Sequence, residues 1–482
     1  MRPCREAIAV LVVSGLLGLP AAAGAATQWT PLSDAPTGDV NISNTNEIGL
    51  ERSADGVLHV LWVNSRANGT QALLHSAVTG TVAGSPDVVA NPNLVLSVTT
   101  AANQSFNDRV DLVPSAAGGL RALFATTFPG NTIDGILATS TSANGGSTWS
   151  GAVAASATAS AQRSPVYAAT GIGGATNLQG STTGTWGDSS PTGGGYRVGL
   201  TTNGADTHFS DSCCEIDPNA AFDSATGAGF VAANLQDTGI QVIPLSGGAS
   251  AVVPQSAHAW TLQRTSITGR IGADGVYVGY GTGDNMFNAK PAIWRIGAPQ
   301  FIFLKNESDA GHVGIAAAPE GRLWVYWERE GSVYASRTNR DISKFGAIVK
   351  VKGPHSGDDS FFNLQGEGSL GTLDLFALAS AASGPENWYV QRLAPGLTLD
   401  TPDGKVVKRG KKIKFQVTDA GDAVQGIDVS TVIGGKTISK TTNAAGKAKL
   451  KIPKDAKKGN QTAFTEPDPG YTGAKAAFKI KG

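Results

Sequence analysis

Apolar and polar residues alternate along this chain in short runs, and one such run returns. Glu47–Trp62 aligns without a gap on His312–Trp327. Each copy reads as a short strand, an acidic-Gly turn and a second alternating strand. Weaker copies lie between and after them. Their turns are Asp55-Gly56, Gly118-Gly119, a poorly defined one near Gly173-Gly174, Asp223–Gly227, Asp274-Gly275, Glu320-Gly321 and Leu370-Gly371. The spacing between successive turns runs from 46 to 63 residues.

A unit of this length with several strands cannot bury its own apolar faces. Packing against the units on either side does so, and the series must then close into a ring. The pattern therefore predicts an all-β chain whose first part is a seven-bladed β-propeller, with six blades as the alternative because the third turn is weak. Composition agrees: 62 glycines and only 16% charged residues in a chain of 482 suit short strands and tight turns.

The first residues read as a processing segment. Arg2 and Arg5 precede an apolar run, Ala7 to Leu19, that is short for a bilayer span, and Ala23-Gly24-Ala25 resembles a small-residue cleavage site. Residues 1–25 are expected to be a signal peptide. The mature protein is then secreted, extracellular and without a membrane span. Cleavage removes Cys4 and leaves two adjacent thiols, Cys213 and Cys214. In an oxidising compartment such a pair is expected to close into a vicinal disulfide, with two free thiols as the alternative. Zinc would need ligands that two thiols alone do not supply.

From Leu397 onward there are 17 Lys and Arg against 8 Asp and Glu, a net +9, so the rest of this neutral chain carries −9. That shift and Ala394-Pro-Gly396 mark a boundary: residues 26–394 form the propeller and 395–482 a second, basic domain. Lys412–Val417 alternates with Ile413, Phe415 and Val417 on one face. Thr431–Ile438 reads as a hairpin. These strands predict a small Ig-like β-sandwich. The strand, Asp419-Ala-Gly-Asp422 turn, strand pattern and Gly470-Tyr471-Thr472 resemble the bacterial Ig-like or carboxypeptidase-regulatory-like modules of secreted proteins. The resemblance implies a spacer or adhesion module. The basic tail could contact anionic polymers or could be a solvated face.

Ser142-Ala-Asn-Gly-Gly-Ser-Thr-Trp149 is similar to the Asp-box, or BNR repeat, of the sialidase-like propeller superfamily. Ser142, Gly146, Thr148 and Trp149 match it, and Asn144 stands where Asp is usual. It follows an alternating strand, Ile136–Ser140. Asn203–Thr207 is a degenerate second copy. The motif is a structural hairpin in that family and carries no reaction. Sialidase activity in the family needs three Arg on a carboxylate, a Tyr activated by Glu and an Asp acid/base. The family's early R-I-P-type motif is absent. Arg52, Arg109, Arg163, Arg264, Arg295 and Arg392 show no spacing that selects three. Tyr326 and Glu328 share a strand face, where a packed strand is the plainer reading. No catalytic residue is assigned.

Asp206, His208, Asp211, Glu215, Asp217 and Asp223 crowd the chain around the cysteines. Oxygen ligands on an irregular loop suit calcium, and Asp206, Asp211 and Asp217 are its candidate ligands. An ordinary solvated loop is the alternative, and no other cofactor is expected. Trp186, in a Gly/Ser/Thr-rich stretch read as an exposed loop, together with Cys213, Cys214 and Glu215, is the candidate ligand-binding set. Nothing resembles a nucleic-acid-binding pattern. The expected function is extracellular or cell-surface binding with carbohydrate as the ligand class. The alternatives are a glycoside-acting enzyme with a diverged site and a structural protein that binds another protein.

Overall fold

The computed structural model describes residues 29–32, 47–65, 70–79, 87–88, 93–99, 106–115, 118–126, 136–155, 170–189, 196–202, 205–212, 217–235, 238–257, 264–283, 288–355, 359–381, 386–467 and 470–482. The signal-peptide segment, Cys213, Cys214, Glu215 and Arg163 lie outside them. Among the described residues there is no α-helix, and the chain is all-β.

Among the described residues, seven antiparallel sheets follow one another, each a meander that begins with an inner strand. The inner strands are Gly49–Arg52, Phe106–Pro114, Thr170–Thr176, Asn219–Phe222, Ser266–Gly269, Gly311–Ala317 and Asp359–Glu367. Each lies beside the next, and the last lies beside the first. That ring of sheets about an axis is a β-propeller. The seventh sheet takes its outermost strand from the other end of the chain: Thr30–Pro31 pairs with Asn387–Leu393.

The repeated turn joins the inner strand to the second strand in every sheet. Gly56, Gly118, Gly180, Gly227, Gly275, Gly321 and Gly371 occupy it, all with φ between +71° and +107°. A side chain is strained there, so glycine recurs. One turn departs from expectation. Gly173 and Gly174 sit within the strand Thr170–Thr176, and the third turn is Asn177–Gly180, closed by Gly180 N–H donating to Asn177 O at 3.0 Å. A Cβ on Gly173 would meet the Pro218 carbonyl at 2.6 Å. These glycines permit close approach of two inner strands rather than a turn.

The core is divided among the gaps between sheets. Leu61, Val63 and Leu73 of the first sheet pack with Leu112, Ala122 and Phe124 of the second. Phe376, Leu378 and Trp388 of the seventh pack with Val60, Trp62 and Leu74 of the first. Each sheet so buries both faces, which explains why the second and third strands are apolar on both sides.

After the ring, two sheets enclose one further core. Thr398–Asp400, Lys412–Asp419, Asp422–Ala423 and Lys447–Lys451 form one; Val406–Lys408, Lys475–Lys481, Gly459–Thr465, Asp428–Ile433 and Lys436–Thr441 form the other. Ile413, Phe415 and Val417 point inward as the alternation predicts, and Phe415 meets Phe478 edge to face at 5.7 Å. Arg322 and Arg337 of the sixth propeller sheet clamp this unit. Arg337 Nε donates to Asp419 at 3.1 Å, and Arg322 pairs with Asp419 at 3.3 Å and Asp422 at 2.6 Å.

Candidate functional site

The inner strands of the seven sheets surround an axial cavity of about 350 Å³. Its wall includes the small residues Gly174, Ala220, Gly314 and Gly366. Against that wall stand Glu51, Asp111, Arg264, Thr265, Gln365 and Glu367. The positions follow from the strands. Glu51 is on the first inner strand, Asp111 on the second, and Gln365 and Glu367 on the seventh. Arg264 and Thr265 precede the fifth.

Arg264 ties the charges together. Its Nη1 donates to Asp111 Oδ1 at 2.6 Å and its Nη2 to the Ile48 carbonyl at 3.2 Å and to the Val110 carbonyl. Nε lies 3.4 Å from Glu47, whose carboxylate is fully buried. Burial pushes Asp111 up to about 6 despite this guanidinium. Glu367 accepts from Arg52 Nε at 2.5 Å and from Ser369 N–H at 2.7 Å, joining the first and seventh sheets where the ring closes.

Glu51 differs from these. Burial, then the nearby charges of Glu367 and Asp111, push it up to about 8, against the opposing pull of Arg52. Two polar groups in this wall are unmatched: Gln365 Nε2 and Thr265 Oγ1 are buried without a hydrogen-bond partner. Buried polar groups in native proteins are nearly always matched, so an unmatched amide donor and hydroxyl in the wall that carries Glu51 mark a place for a polar guest.

Among the described residues the sialidase arrangement is not assembled. Among the described residues Arg264 alone of the arginines lines the cavity. Arg52 and Arg392 hold Asp374 at 2.6 Å each, Arg295 holds Asp274 at 2.6 Å, and Arg109 pairs with Asp217. Tyr326 does line the cavity, flat against Gly314 and Gly366, but burial holds its phenol well above the usual range. Glu328 lies against Gly311.

The residues singled out by sequence have other places. Trp186 is fully buried on the strand Thr182–Ser189 and packs among Val113, Leu123, Leu137 and Ile172. The exposed loop expected there is a correction. Trp186 faces Gly199 across the ladder, where a Cβ would stand 2.3 Å from the indole. The glycine-rich composition makes room for the ring. Asp206 and Asp211 lie on a regular strand, Ala205–Ser212, rather than an irregular loop. Asp217 is buried and pairs with Arg109. Asp223 closes its own turn, accepting from Ala225 N–H at 2.8 Å and Gly275 N–H at 2.7 Å.

The hairpin of Ser142–Trp149 joins the third and fourth strands of the second sheet. Gly146 N–H donates to Ser142 Oγ at 2.9 Å, Thr148 N–H to Asn144 Oδ1 at 3.0 Å, and Trp149 Nε1 to the Gly146 carbonyl at 3.0 Å. Positive φ falls on Gly145 and Gly146, not on Asn144. Gly146 lies flat on the His75 ring of the first sheet, and Trp149 meets that ring at 5.5 Å. The motif thus staples two neighbouring sheets. Of the degenerate copy, Asn203 and Gly204 lie outside the described residues; Ala205–Thr207 belong to the fourth strand of the third sheet, where Ala205 stands opposite Thr202.

Sequence reasoning passed over Glu51, Gln365, Thr265 and Asp111. One signal was available for Glu51. It aligns with Ala316 in the two matching copies, an acid where the other inner strand carries a small residue.

No protein-family profile and no curated relative matches the chain. Solved structures do. A Hadza microbial sialidase matches at 11% identity and a TM-score of 0.44, over 64% of this chain and 65% of that one. A polysaccharide lyase matches at 12% and 0.38, over 72% and 89%. A mutant of the Aleuria aurantia lectin bound to a fucosyl-GlcNAc disaccharide matches at 14% and 0.35, over 74% and 97%. These likenesses concern the fold and carry nothing about ligand or reaction.

Proposed function

We propose that this is a secreted, extracellular carbohydrate-binding protein, a seven-bladed propeller with a C-terminal Ig-like sandwich, whose recognition site is the axial cavity. The observation that carries the reading is the Glu51 carboxyl on the wall of one small cavity, with Gln365 Nε2 and Thr265 Oγ1, two buried polar atoms without a hydrogen-bond partner, in the same wall. A saccharide offers closely spaced hydroxyls that both donate and accept, which is what those two atoms lack. The cavity's volume is at the lower end of the range for small-molecule sites. Its carboxyl groups outnumber its single guanidinium, so a neutral sugar fits better than an acidic one such as a sialic acid.

A second reading rests on Glu51 alone. A carboxyl held protonated at neutral pH beside ionised neighbours is the arrangement of a general acid, which favours a glycoside-acting enzyme over a passive binder. One experiment separates them. The mature chain, residues 26–482, is passed over a broad glycan panel with calcium and with chelator, retention is scored, and released products are read by mass spectrometry. Retention of neutral glycans without product, reduced at least about tenfold by Glu51→Ala or Gln365→Ala in a folded protein, supports the binding reading. Product release that Glu51→Ala abolishes favours the enzyme. Silence in both readouts rejects carbohydrate and leaves a structural protein with a protein partner.

A further inference from the structure

The geometry points to a second binding surface, the outward face of the sandwich sheet built on Lys412–Asp419 and Lys447–Lys451, and to a linear anionic polysaccharide as its occupant. With Ile413, Phe415 and Val417 buried on one strand and Ala448 and Leu450 on the other, the alternate residues must face out. They are Lys412, Lys414 and Gln416, and Lys447, Lys449 and Lys451. The register places Lys412 directly opposite Lys451 and Lys414 opposite Lys449. Like charges facing each other across a ladder repel and weaken the sheet. Lysines on an edge strand have a use in blocking unwanted strand pairing. That accounts for Lys447, Lys449 and Lys451 but not for Lys412 and Lys414, which lie on the strand that pairs on both sides.

Acidic relief is slight. Asp403 reaches Lys414 Nζ at 2.8 Å but is 62% exposed, and such pairs contribute little. Asp400 stands opposite Gln416 at the far corner. The remaining lysines form a flat grid, about 7 Å between successive outward residues and about 5 Å between strands. A chain bearing one carboxylate or sulfate per residue can lie along such a grid and relieve its repulsion. The chemistry disfavours other polyanions. The outward residues named are lysines, without the guanidinium forks that grip phosphate bidentately or the aromatic rings on which bases stack. The exposed large apolar residues of this unit, Val406 and Val432, belong to the other sheet, so this face offers no apolar anchor for a bilayer.

The test uses the mature chain and its fourfold variant Lys412→Gln, Lys414→Gln, Lys449→Gln, Lys451→Gln, with thermal melts to confirm that both fold. Binding is measured to polygalacturonate, to its fully methyl-esterified and uncharged form, to duplex DNA and to phosphatidylglycerol vesicles over a range of salt. The expected result is binding to polygalacturonate alone of the four, falling steeply with salt, and weakened at least about tenfold in the variant. Absence of polygalacturonate binding at low salt, or equal binding by the variant, overturns the assignment. Duplex DNA or vesicles bound as tightly as polygalacturonate overturn the polysaccharide class. The neutral-glycan site in the propeller is untouched by these substitutions, so the two readings fail independently.

Discussion

Glu51→Gln is expected to make the protein more stable at neutral pH. The reasoning starts from the Glu51 carboxyl, raised from 4.5 to about 8 by burial and by the charges of Glu367 and Asp111. Below pH 4.5 the folded and unfolded chains both keep this proton. Between 4.5 and 8 the unfolded chain releases it and the folded chain does not, so rising pH favours unfolding. Above about 8 both are ionised and the loss levels off. Each unit is worth about 1.4 kcal/mol, so by pH 7 the wild type has lost roughly 3 kcal/mol of stability that the variant, with a non-titrating amide in place of the carboxyl, retains. Glutamine has nearly the shape of the protonated acid and adds no charge to the cavity. Urea denaturation followed by tryptophan fluorescence at pH 4, 7 and 8.5 measures the difference. The two proteins should be about equal at pH 4 and separate by several kcal/mol at pH 7. A difference that does not change with pH, or a variant less stable than wild type at pH 7, refutes the argument. A carboxyl that costs this much is the kind of residue retained for function at the expense of stability.

Further outcomes follow from the same structure. Trp186→Ala should cost about 3–5 kcal/mol through the cavity it leaves between the second and third sheets, with retention on the glycan panel unchanged per folded molecule; loss of glycan binding at unchanged stability would contradict the placement. Gly146→Ala should lower the melting temperature clearly, because φ is +81° and the new Cβ would lie 2.0 Å from His75 Cε1; a neutral melt refutes the staple between sheets. Asp419→Ala leaves Arg337 without its carboxylate in a buried place and should cost about 3–5 kcal/mol, read as early release of the C-terminal unit in limited proteolysis. Unchanged cleavage would show that the clamp does not hold the two parts together.

The architecture was legible in the chain because it depends on local signals repeated many times. A turn that carries glycine, then an alternating strand, marks six of the seven inner turns in the sequence, and glycine stands there because the backbone demands positive φ. The alternation of Lys412–Val417 was legible for the same reason: period two needs only neighbours in sequence. The Ser142–Trp149 hairpin closes its own hydrogen bonds and was readable whole. Composition misled where a glycine served a distant partner. The stretch around Trp186 looks like a loop until the indole is seen lying on Gly199 of the next strand, and Gly173 looks like a turn until the next inner strand is seen beside it.

The candidate site belongs to the other category. Glu51, Asp111, Arg264 and Gln365 are separated by up to 314 residues, and no local pattern links them. Only closing the ring brings seven inner strands to one axis. That closure gathers their charges around one cavity and leaves Gln365 Nε2 and Thr265 Oγ1 buried in its wall without partners. Strand identity and turn position depend on residues a few places apart, which the sequence states directly. Charge, burial and unmet hydrogen bonding depend on what the fold carries across space, and tertiary structure alone decided them.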